Sequence, residues 1–464
     1  MEQTLIQPLT KNTILAGRHE QFEWHRIKDI PAVVKPQAQG VSSILENFDY
    51  PVSSWPIILK EEQVATLKQL SARIPRLIRK IPELYFKNDE KRIADFYFKG
   101  DAMLTQFAML CHQKNIDVGC RLDLTYAEDG FKLLEVNVGS TVGGWQVQVL
   151  EEMIRKCHPQ LDDPVTASQY ESPDTQAVYI KFLVENVIKH VKPTDKEVNV
   201  FFGVGHIPNE EIKKRVLTFF DNLLNEELAK KGMKGRSHTG RFSSLVMKHG
   251  RLYCGDAPMH GVIAFKTEQD DEIQPDVFRA FIMDEIYFPD NLTHGMNEDK
   301  RNLEILLELA QQKAFSEEDN ALILKHIPWS AAIADKKVSY AGKMQSVENI
   351  LREHKDKMVI KDALGFQGID VFVGKFASDE EWEKAIQLAF SGKNFLAQEF
   401  HQSIDYVAPN LQQEWTDHKI VWGSFGFGDH YGGVCARSTE VATDVGIINC
   451  ARGAVVAIVY GIKN

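Results

Sequence analysis

Apolar residues recur every three to four positions along several stretches of the chain, a period typical of an amphipathic helix. One such stretch runs from Lys60 to Leu84 and predicts one or two helices. Further helices are predicted over residues 100–114, 146–157, 175–190, 209–231, 299–312, 316–325 and 379–391. Residues 1–50 mix short apolar groups with Pro and Gly, so they predict no regular element.

Alternation of polar and apolar residues marks the strands of the chain. Residues 121–126 and 131–137 alternate in this way, and Glu128-Asp-Gly130 between them is a turn signal, so together they predict a β-hairpin. Other strands are predicted over residues 198–203, 260–265, 281–287, 357–361, 369–374, 395–400, 418–428 and 433–438. A continuous apolar run also covers residues 454–460.

The order of these elements divides the chain into three segments. A chain of 464 residues is too long for one ordinary hydrophobic core and predicts two or three packed domains. Residues 158–173 are rich in Pro, Asp and Ser, and strands and helices alternate after them as in a small α/β domain. We therefore divide the chain into residues 1–165, 166–312 and 313–464, and predict a mixed α/β (α+β) fold.

Charge and cysteine content exclude several classes of protein. The net charge of −11 argues against general affinity for nucleic acid, which requires clustered Lys and Arg. The 6 cysteines are dispersed, without a CxxC pair or zinc-type spacing, as expected for reduced thiols in the cytoplasm. The sequence shows no signal peptide and no run of about 18 apolar residues. We therefore predict a cytoplasmic protein with no membrane or nucleic-acid partner.

The predicted hairpin carries the first group of candidate functional residues. Residues two apart on a strand face the same side, so Arg121 and Asp123 share one face, as do Glu135 and Asn137. An antiparallel hairpin can place these pairs side by side, where two carboxylates and an amide oxygen suit one or two Mg²⁺ ions. Arg121 would then face the charge that develops on a transferred phosphoryl group. The alternative is an exposed sheet face with ordinary ion pairs.

A strand that ends in Lys361 leads into a second candidate, a loop that contains Gly365 and Gly368. Loop glycines let backbone N–H groups approach phosphate oxygens, and the lysine adds a positive charge. A strand follows this loop where a dinucleotide-binding fingerprint needs a helix, and the Walker signature ending in GKS or GKT is absent. The alternative is a tight hairpin without a ligand.

Two later strands carry further polar candidates. The strand that ends in Gln398, Glu399 and Phe400 places an acid beside apolar residues, which could form an adenine pocket with backbone hydrogen bonds. Arg437, at the end of a short strand, could bind a phosphate through two hydrogen bonds. The alternatives are an ordinary edge strand for the first and a surface arginine for the second.

Taken together, these motifs resemble the ATP-grasp ligases in their circularly permuted form, the group typified by glutathionylspermidine synthetase. In ordinary ATP-grasp enzymes the nucleotide-binding lysine and glycine loop precede the metal-binding Asp and Glu-x-Asn set. Here the metal set comes first, within residues 121–137, and the lysine and glycine loop follow within 361–368, so the order is reversed. The resemblance extends over most of residues 95–455, with Asp362 where the family has Pro.

The resemblance implies a role for each candidate residue. It implies binding of ATP and one or two Mg²⁺ ions, with Arg121 as the catalytic arginine. The implied metal ligands are Asp123, Glu135 and Asn137. The implied nucleotide-binding residues are Lys361, Gly365, Gly368, Gln398, Glu399, Phe400 and Arg437.

The resemblance also implies groups that the motifs alone do not identify. A second nucleotide-binding lysine is expected upstream of the glycine loop, and its candidates are Lys336, Lys337 and Lys343. The loop after Asn137 differs from that of the synthetase and is implied to lie near the acceptor. Its candidate substrate residues are Ser140 and Thr141.

For the three segments, the resemblance implies three parts of an ATP-grasp enzyme. Residues 1–165 would hold a helical region and the permuted metal-binding half of the core. Residues 166–312 would form a Rossmann-like pre-ATP-grasp domain on the substrate side. Residues 313–464 would form the nucleotide-binding lobe.

The implied reaction joins a carboxylate to an amine through an acyl phosphate and releases ADP and phosphate. The substrates would be a small-molecule carboxylate and a small-molecule amine, which could be an amino acid, a peptide or a polyamine-like compound. One alternative is acyl transfer to a carrier, or a small-molecule kinase, on the same fold. Another is a non-catalytic ATP-grasp-like binding module, and a homodimer is left open.

Overall fold

The computed structural model describes residues 29–34, 48, 50–204, 209–265, 272–365 and 368–463. Most of residues 1–50, and also Phe366 and Gln367 of the predicted glycine loop, lie outside the described residues. None of the helices in the described ranges combines the length and the apolar character that crossing a membrane would need.

The helices comprise those predicted, with ends that differ by a few residues, and others at 90–97, 159–162, 164–167, 275–282, 294–297 and 347–353 that were not predicted. They are α1 (Glu61–Arg79), α2 (Ile81–Leu84), α3 (Glu90–Tyr97), α4 (Ala102–Gln113), α5 (Glu151–Lys156), α6 (Pro159–Asp162), α7 (Pro164–Ala167), α8 (Thr175–His190), α9 (Glu210–Ala229), α10 (Pro275–Ile282), α11 (His294–Asn297), α12 (Asn302–Gln311), α13 (Glu317–His326), α14 (Val347–Glu353) and α15 (Asp379–Ala389). The stretch from Lys60 to Leu84 divides into two helices at Lys80, and Pro82 is tolerated there because it falls in the first turn of α2. The predicted helix 146–157 begins instead as the 3-10 helix Trp145–Leu150.

The strands comprise most of those that the alternation of residues predicts and several short ones that it does not. They are β1 (Val33–Val34), β2 (Val52–Ser53), β3 (Ile57–Leu59), β4 (Gly119–Ala127), β5 (Gly130–Val138), β6 (Tyr170–Glu171), β7 (Val200–Phe202), β8 (Ser237–His238), β9 (Leu245–Lys248), β10 (Arg251–Cys254), β11 (Ala257–Pro258), β12 (Gly261–Ile263), β13 (Ser330–Ala332), β14 (Lys337–Tyr340), β15 (Lys343–Ser346), β16 (Met358–Asp362), β17 (Val371–Val373), β18 (Phe395–Glu399), β19 (Tyr406–Pro409), β20 (Trp415–Phe427), β21 (His430–Glu440) and β22 (Val455–Ile462).

A mixed sheet of ten strands is the largest sheet in the described part of the chain. Its main path runs β1-β2-β22-β21-β20-β4-β5, while β19 pairs with β20, and β3 and β6 pair with β22. Strand β22 is antiparallel to β21 and parallel to β2 and β3, so the apolar run 454–460 forms an interior strand of this sheet. Its continuous apolar sequence follows from burial on both faces.

A second, antiparallel sheet of four strands, in the order β13-β18-β16-β17, lies within residues 330–399 of the described chain. It has a hydrophobic core of its own, in which Trp382 of α15 and Ile350 of α14 pack with Phe395 of β18. Because β19–β22 belong to the ten-stranded sheet, the predicted segment 313–464 contributes strands to both sheets.

The middle of the chain contains the predicted α/β unit. Strands β12, β7 and β8 pair in parallel, and helices α8 and α9 lie before and after β7 in the chain. The strand predicted over 281–287 is wrong, because helix α10 covers its first residues. Val277, Ala280 and Phe281 are buried at spacings of three and four, so the apolar pattern there has the period of a helix.

Candidate active site

A cavity of about 630 Å³ lies between the ten-stranded sheet and the four-stranded sheet. Ligand pockets in proteins typically measure roughly 300–1,000 Å³. Strands β4, β5, β20 and β21 form one wall, and β16–β18 form the other. The predicted site residues that line it are Arg121, Asp123, Glu135, Asn137, Thr141, Lys361, Gly365, Gly368, Gln398, Glu399, Phe400 and Arg437.

The β4–β5 hairpin brings the two polar pairs together, as the alternation of its residues predicts. Asp123 is paired with Glu135 across the strands, and Arg121 with Asn137. The Asn137 Nδ2 atom donates a 3.4 Å hydrogen bond to the carbonyl oxygen of Arg121. Two carboxylates, an amide and a guanidinium therefore share one patch of the cavity wall.

Asp123 is buried between two arginines. Its Oδ1 atom lies 2.7 Å from Arg121 Nε, and its Oδ2 atom lies 3.0 Å from Arg121 Nη2 and 2.8 Å from Arg437 Nη2. Burial opposes ionisation of this carboxyl group, but the charges and hydrogen bonds of Arg121 and Arg437 hold its pKa well below its usual range. The carboxylate thus stays charged and holds both guanidinium groups at the cavity.

Space for Arg121 comes from a glycine on the neighbouring strand. Gly423 of β20 pairs with Asp123 of β4. A Cβ atom at Gly423 would lie 2.8 Å from Arg121 Cδ and 3.1 Å from the carbonyl oxygen of Cys435. A larger residue here would displace Arg121, because the backbone of the next strand cannot give way easily.

Lys361 connects the two sheets across the cavity. It is buried on β16, and its Nζ atom donates hydrogen bonds to Gln398 Oε1 at 2.6 Å and to the Leu134 carbonyl oxygen of β5 at 3.2 Å. Burial lowers the pKa of Lys361 to about 8, although the charge of Glu135 acts in the opposite direction. A bound anion would therefore stabilise the charged form of this lysine.

A second buried lysine, Lys300, lines the cavity although the sequence did not indicate it. Its Nζ atom donates a 2.6 Å hydrogen bond to the Gly365 carbonyl oxygen and lies 3.4 Å from Glu135 Oε2. Lys300 thereby connects a predicted metal ligand to the glycine loop. The available signal was the charged run Asp299–Arg301 before α12, but only the tertiary fold shows that Lys300 is buried.

The three expected candidates for a second nucleotide-binding lysine do not line the cavity formed by the described residues; they are Lys336, Lys337 and Lys343. Lys336 Nζ instead lies 2.5 Å from Glu304 Oε1. The other two occupy exposed positions on the β14–β15 hairpin. Lys300 is therefore the better candidate for this role.

The predicted adenine segment is only partly free to bind a ligand. The Gln398 side chain is buried and accepts the hydrogen bond of Lys361 described above. The backbone N–H groups of Glu399 and Phe400 donate to carbonyl oxygens of Trp329 and Lys357, each at 2.8 Å. An adenine ring here would therefore need other backbone groups of this segment.

The glycine loop lies against the segment that follows β21. Gly368 has a φ of +72°, a conformation that favours glycine, and a Cβ atom there would lie 2.9 Å from Ile447 Cγ2. Ile447 also lines the cavity, so residues 444–450 and the loop together border it on one side.

The loop after Asn137 directs Ser140, one of the two predicted substrate residues, away from the cavity. Gly139 has a φ of +91°, which ends the strand alternation, and the next residue, Ser140, is buried. The Ser140 N–H group donates to Asp290 Oδ1 at 2.7 Å, and its hydroxyl lies 3.2 Å from the Tyr179 hydroxyl. Of the two predicted substrate residues, Thr141 lines the cavity and Ser140 does not.

A histidine–glutamate pair also lines the cavity and was not predicted. His294 begins α11, and its Nε2 atom lies 2.8 Å from Glu298 Oε2. Glu298 Oε1 accepts a 2.8 Å hydrogen bond from the N–H group of Val138. Burial lowers the pKa of His294, but the hydrogen bond and charge of Glu298 outweigh it and raise the pKa above its ordinary value. The spacing of four residues is the sequence signal that could have found the pair.

The oxygen-rich wall fits a magnesium ion in its chemistry. Mg²⁺ keeps several water ligands and is commonly held by one or two carboxylates together with substrate phosphates. Asp123, Glu135 and Asn137 offer two carboxylates and an amide oxygen on one hairpin, although both oxygens of Asp123 already bind guanidinium groups. Within the described ranges, no group of three or more His, Cys, Asp and Glu side chains is placed to hold a metal ion, so a site here would rest on two carboxylates and an amide.

Comparisons with known proteins show similarity in structure but not in sequence. No protein-family model matches the sequence, and no curated protein does. A glutathione synthetase-like effector from Globodera pallida, solved in its apo form, matches with a TM-score of 0.55 and 12% identity, over 97% of this chain and 98% of that chain. A protein from Methylobacillus flagellatus described as a gamma-glutamylcysteine synthetase matches with a TM-score of 0.41 and 11% identity, over 84% and 88% of the two chains. The first match shows that this chain shares the mixed α/β fold of a glutathione synthetase-like protein.

Proposed function

We propose that this protein is an ATP- and Mg²⁺-dependent ligase that joins a carboxylate to an amine through an acyl phosphate and releases ADP and phosphate. The observation that carries this proposal is that the oxygen-rich hairpin meets cations from three other parts of the chain in one cavity. These cations are Lys300 and Lys361, which are buried, and Arg437, whose side chain is 12% exposed. Opposite charges held together in one cavity suit a metal–triphosphate ligand, which carries both signs of charge itself.

Each group has a definite task in the proposed reaction. Asp123, Glu135 and Asn137 would hold Mg²⁺, which would supply positive charge to neutralise the phosphates. Lys300 and Lys361 would bind the phosphates. Arg121 and Arg437, fixed by Asp123, would stabilise the charge that develops as the γ-phosphoryl group passes to the substrate carboxylate. Adenine would lie beside Gln398, Glu399 and Phe400.

The substrates in this proposal are an amino acid or short peptide that supplies the carboxylate and a small amine that attacks it. The shared fold with a glutathione synthetase-like effector supports this class of substrate. The proposal includes the permuted order of the ATP-grasp parts, in which the metal-binding half precedes the nucleotide-binding half along the chain.

The test is ADP release from Mg²⁺·ATP across a panel of amino acids and dipeptides, first alone and then with amines in pairs, with mass spectrometry of the products. ADP and free phosphate that appear only with one acid–amine pair, together with a dehydrated product, would support the ligase. A stable phosphorylated product would indicate a kinase instead. Absence of nucleotide binding would favour a non-catalytic module.

Substitution of Glu135, one of the two hairpin carboxylates, tests the metal assignment. Glu135→Gln should lower ADP release by roughly 100-fold, as expected when a charge-stabilising group is lost. Asp129→Asn is the matched control, because Asp129 lies at the turn of the same hairpin and pairs with Lys132 at 2.7 Å outside the cavity. Unchanged ADP release in Glu135→Gln would overturn the metal assignment.

A further inference from the structure

The pair formed by His294 and Glu298 adjoins the proposed metal ligands. The Glu298 carboxylate accepts the N–H group of Val138, the residue directly after Asn137. On the other side, a Cβ atom built on Gly139 would lie 3.2 Å from His294 Nδ1. The pair therefore faces the point where the hairpin ends and the loop 139–144 begins.

The hydrogen bond to Glu298 determines which nitrogen of His294 can accept a proton. Because Nε2 lies 2.8 Å from the Glu298 carboxylate, the neutral ring donates its Nε2–H there and keeps its lone pair on Nδ1. Nδ1 makes no hydrogen bond with any residue that the structure describes, and the His294 side chain is 38% exposed, toward the cavity.

The proposed reaction needs a proton acceptor in its second step. Given the ligase function proposed above, we infer that His294 is the general base for the attacking amine and that Glu298 is its positioning residue. The amine nitrogen forms a bond to the acyl carbon, and the bond from that carbon to the phosphate oxygen breaks. The phosphate leaves with the electron pair of that bond, and the proton of the amine passes to His294 Nδ1.

Two carboxyl groups stabilise the imidazolium that this step forms, although burial raises the pKa of one of them, Asp290. Glu298 acts from the end of the same helical turn, and Asp290 acts from the segment before α11. Asp290 is fixed by two backbone donors, the N–H groups of Ser140 at 2.7 Å and Ala264 at 2.8 Å. A carboxylate that orients a histidine and stabilises its charged form is the arrangement that serves bases in acyl transfer.

Two small nucleophiles test the inference. Hydroxylamine is unprotonated at neutral pH, and its weakly basic nitrogen makes the adduct acidic enough to give its proton to water, whereas ammonia is present mainly as ammonium and must first lose a proton to a base. With the carboxylate selected by the panel, His294→Gln should lower amide formation from ammonium chloride by roughly 100-fold, the usual range for a general base. Hydroxamate formation from hydroxylamine should stay within about twofold of wild type, because activation of the carboxylate is unaffected.

The control variant is His430→Gln. His430 also bonds a glutamate through Nε2, at 2.6 Å from Glu185 Oε2, but it lies outside the cavity, so both products should form as in wild type. Unchanged amide formation in His294→Gln, or an equal loss of both products, would overturn the inference. Wild-type protein that forms hydroxamate but no amide would also overturn it. Wild-type protein that forms no hydroxamate with any carboxylate would overturn the ligase function itself.

The pH dependence of product formation distinguishes a role of His294 as a base from a purely structural role. The charged groups that raise the pKa of His294 are Glu298 and Asp290. Glu298→Gln removes one of these charges and lowers the pKa, so the acid limb of amide formation should move to lower pH. The profile of hydroxamate formation should not move. A shared shift, or no shift in either profile, would contradict the inference.

Discussion

At the scale of single residues, the charge of Lys361 depends on what the cavity contains. Its ammonium group is buried and bonded to the neutral acceptors of Gln398 and Leu134. Burial lowers its pKa to about 8, so a slightly alkaline solution deprotonates part of the protein. A bound triphosphate would reverse this effect, because nearby negative charge favours the protonated form.

We therefore expect proton uptake when Mg²⁺·ATP binds at pH 8 to 9. Titration calorimetry in buffers with different ionisation enthalpies measures the number of protons, which should be a substantial fraction of one. Lys361→Arg should bind without uptake, because a guanidinium group stays protonated throughout this range. Equal binding enthalpies in all buffers for the wild-type protein would contradict a phosphate contact at Lys361.

Single residues also show which parts of the candidate site can be predicted from the sequence. Arg121 and Glu135 could be predicted to share a face because strand alternation is local and a clear turn fixes the hairpin. Lys300 and His294 could not be placed in the site, because their positions beside Glu135 and Gly139 depend on the tertiary fold, across more than a hundred residues of chain. The resemblance implied Ser140 and Thr141 near the acceptor, but it could not show that the turn at Gly139 directs Ser140 toward Asp290.

At the scale of elements, strand β20 organises the site without contributing a predicted ligand. It lies between β4 and β21, and so it separates Arg121 from Arg437 by one strand. Its Ser424 hydroxyl lies 2.7 Å from the Ser71 hydroxyl of α1, which anchors the strand to the helix behind it. Gly423 leaves the space through which Arg121 reaches Asp123.

Gly423→Ala should therefore displace Arg121 and impair catalysis. A displacement of about 1 Å at a reacting group can cost roughly 100-fold in rate. The free energy of unfolding should also fall by about 1–3 kcal/mol, as for other overpacked sites. Measurements of ADP release and urea denaturation test both effects.

The matched control for this substitution is Gly261→Ala on β12. Its added Cβ atom would meet neighbours at 3.4 Å or more, which is ordinary contact, so rate and stability should change little. Full activity in Gly423→Ala would show that the position of Arg121 is unimportant for the reaction.

Helices and strands were predicted well where the apolar residues follow one clear period. They were predicted poorly where the same residues fit both a helical and a strand period. The helix α8 and the hairpin β4–β5 follow single, clear patterns. Residues 281–287 fit both alternation and a helical period, and the buried contacts of Phe281 within α10 decided the outcome. The pairing of β22 with distant strands could not be read from its apolar composition.

At the scale of the whole molecule, the cavity lies between two parts of the protein that have separate hydrophobic cores. One core lies within residues 331–397, and the other includes residues on both sides of this segment in the chain. Polar contacts such as Lys361 to Leu134 connect the sheets at the cavity. A ligand that binds both walls would therefore hold the two parts together.

We expect the four-stranded sheet to open at lower free energy than the ten-stranded sheet, because its core is smaller. Native-state hydrogen exchange should show lower protection for amides of β16 and β18 than for those of β21 and β22. Mg²⁺·ATP at about 100 times its dissociation constant should raise the protection of β16 and β18 by up to about 2.7 kcal/mol. Equal protection in all four strands, unchanged by nucleotide, would contradict a ligand site between the sheets.

The pairing of β4 with β20 also has a consequence during protein synthesis. Asp123 pairs with Gly423, which emerges from the ribosome 300 residues later (423 − 123). At a translation rate of about 5–20 residues per second, roughly 15–60 s pass between the two. The hairpin that carries the acidic residues therefore has an open edge throughout this interval, and we expect the nascent chain to depend on chaperones during this time.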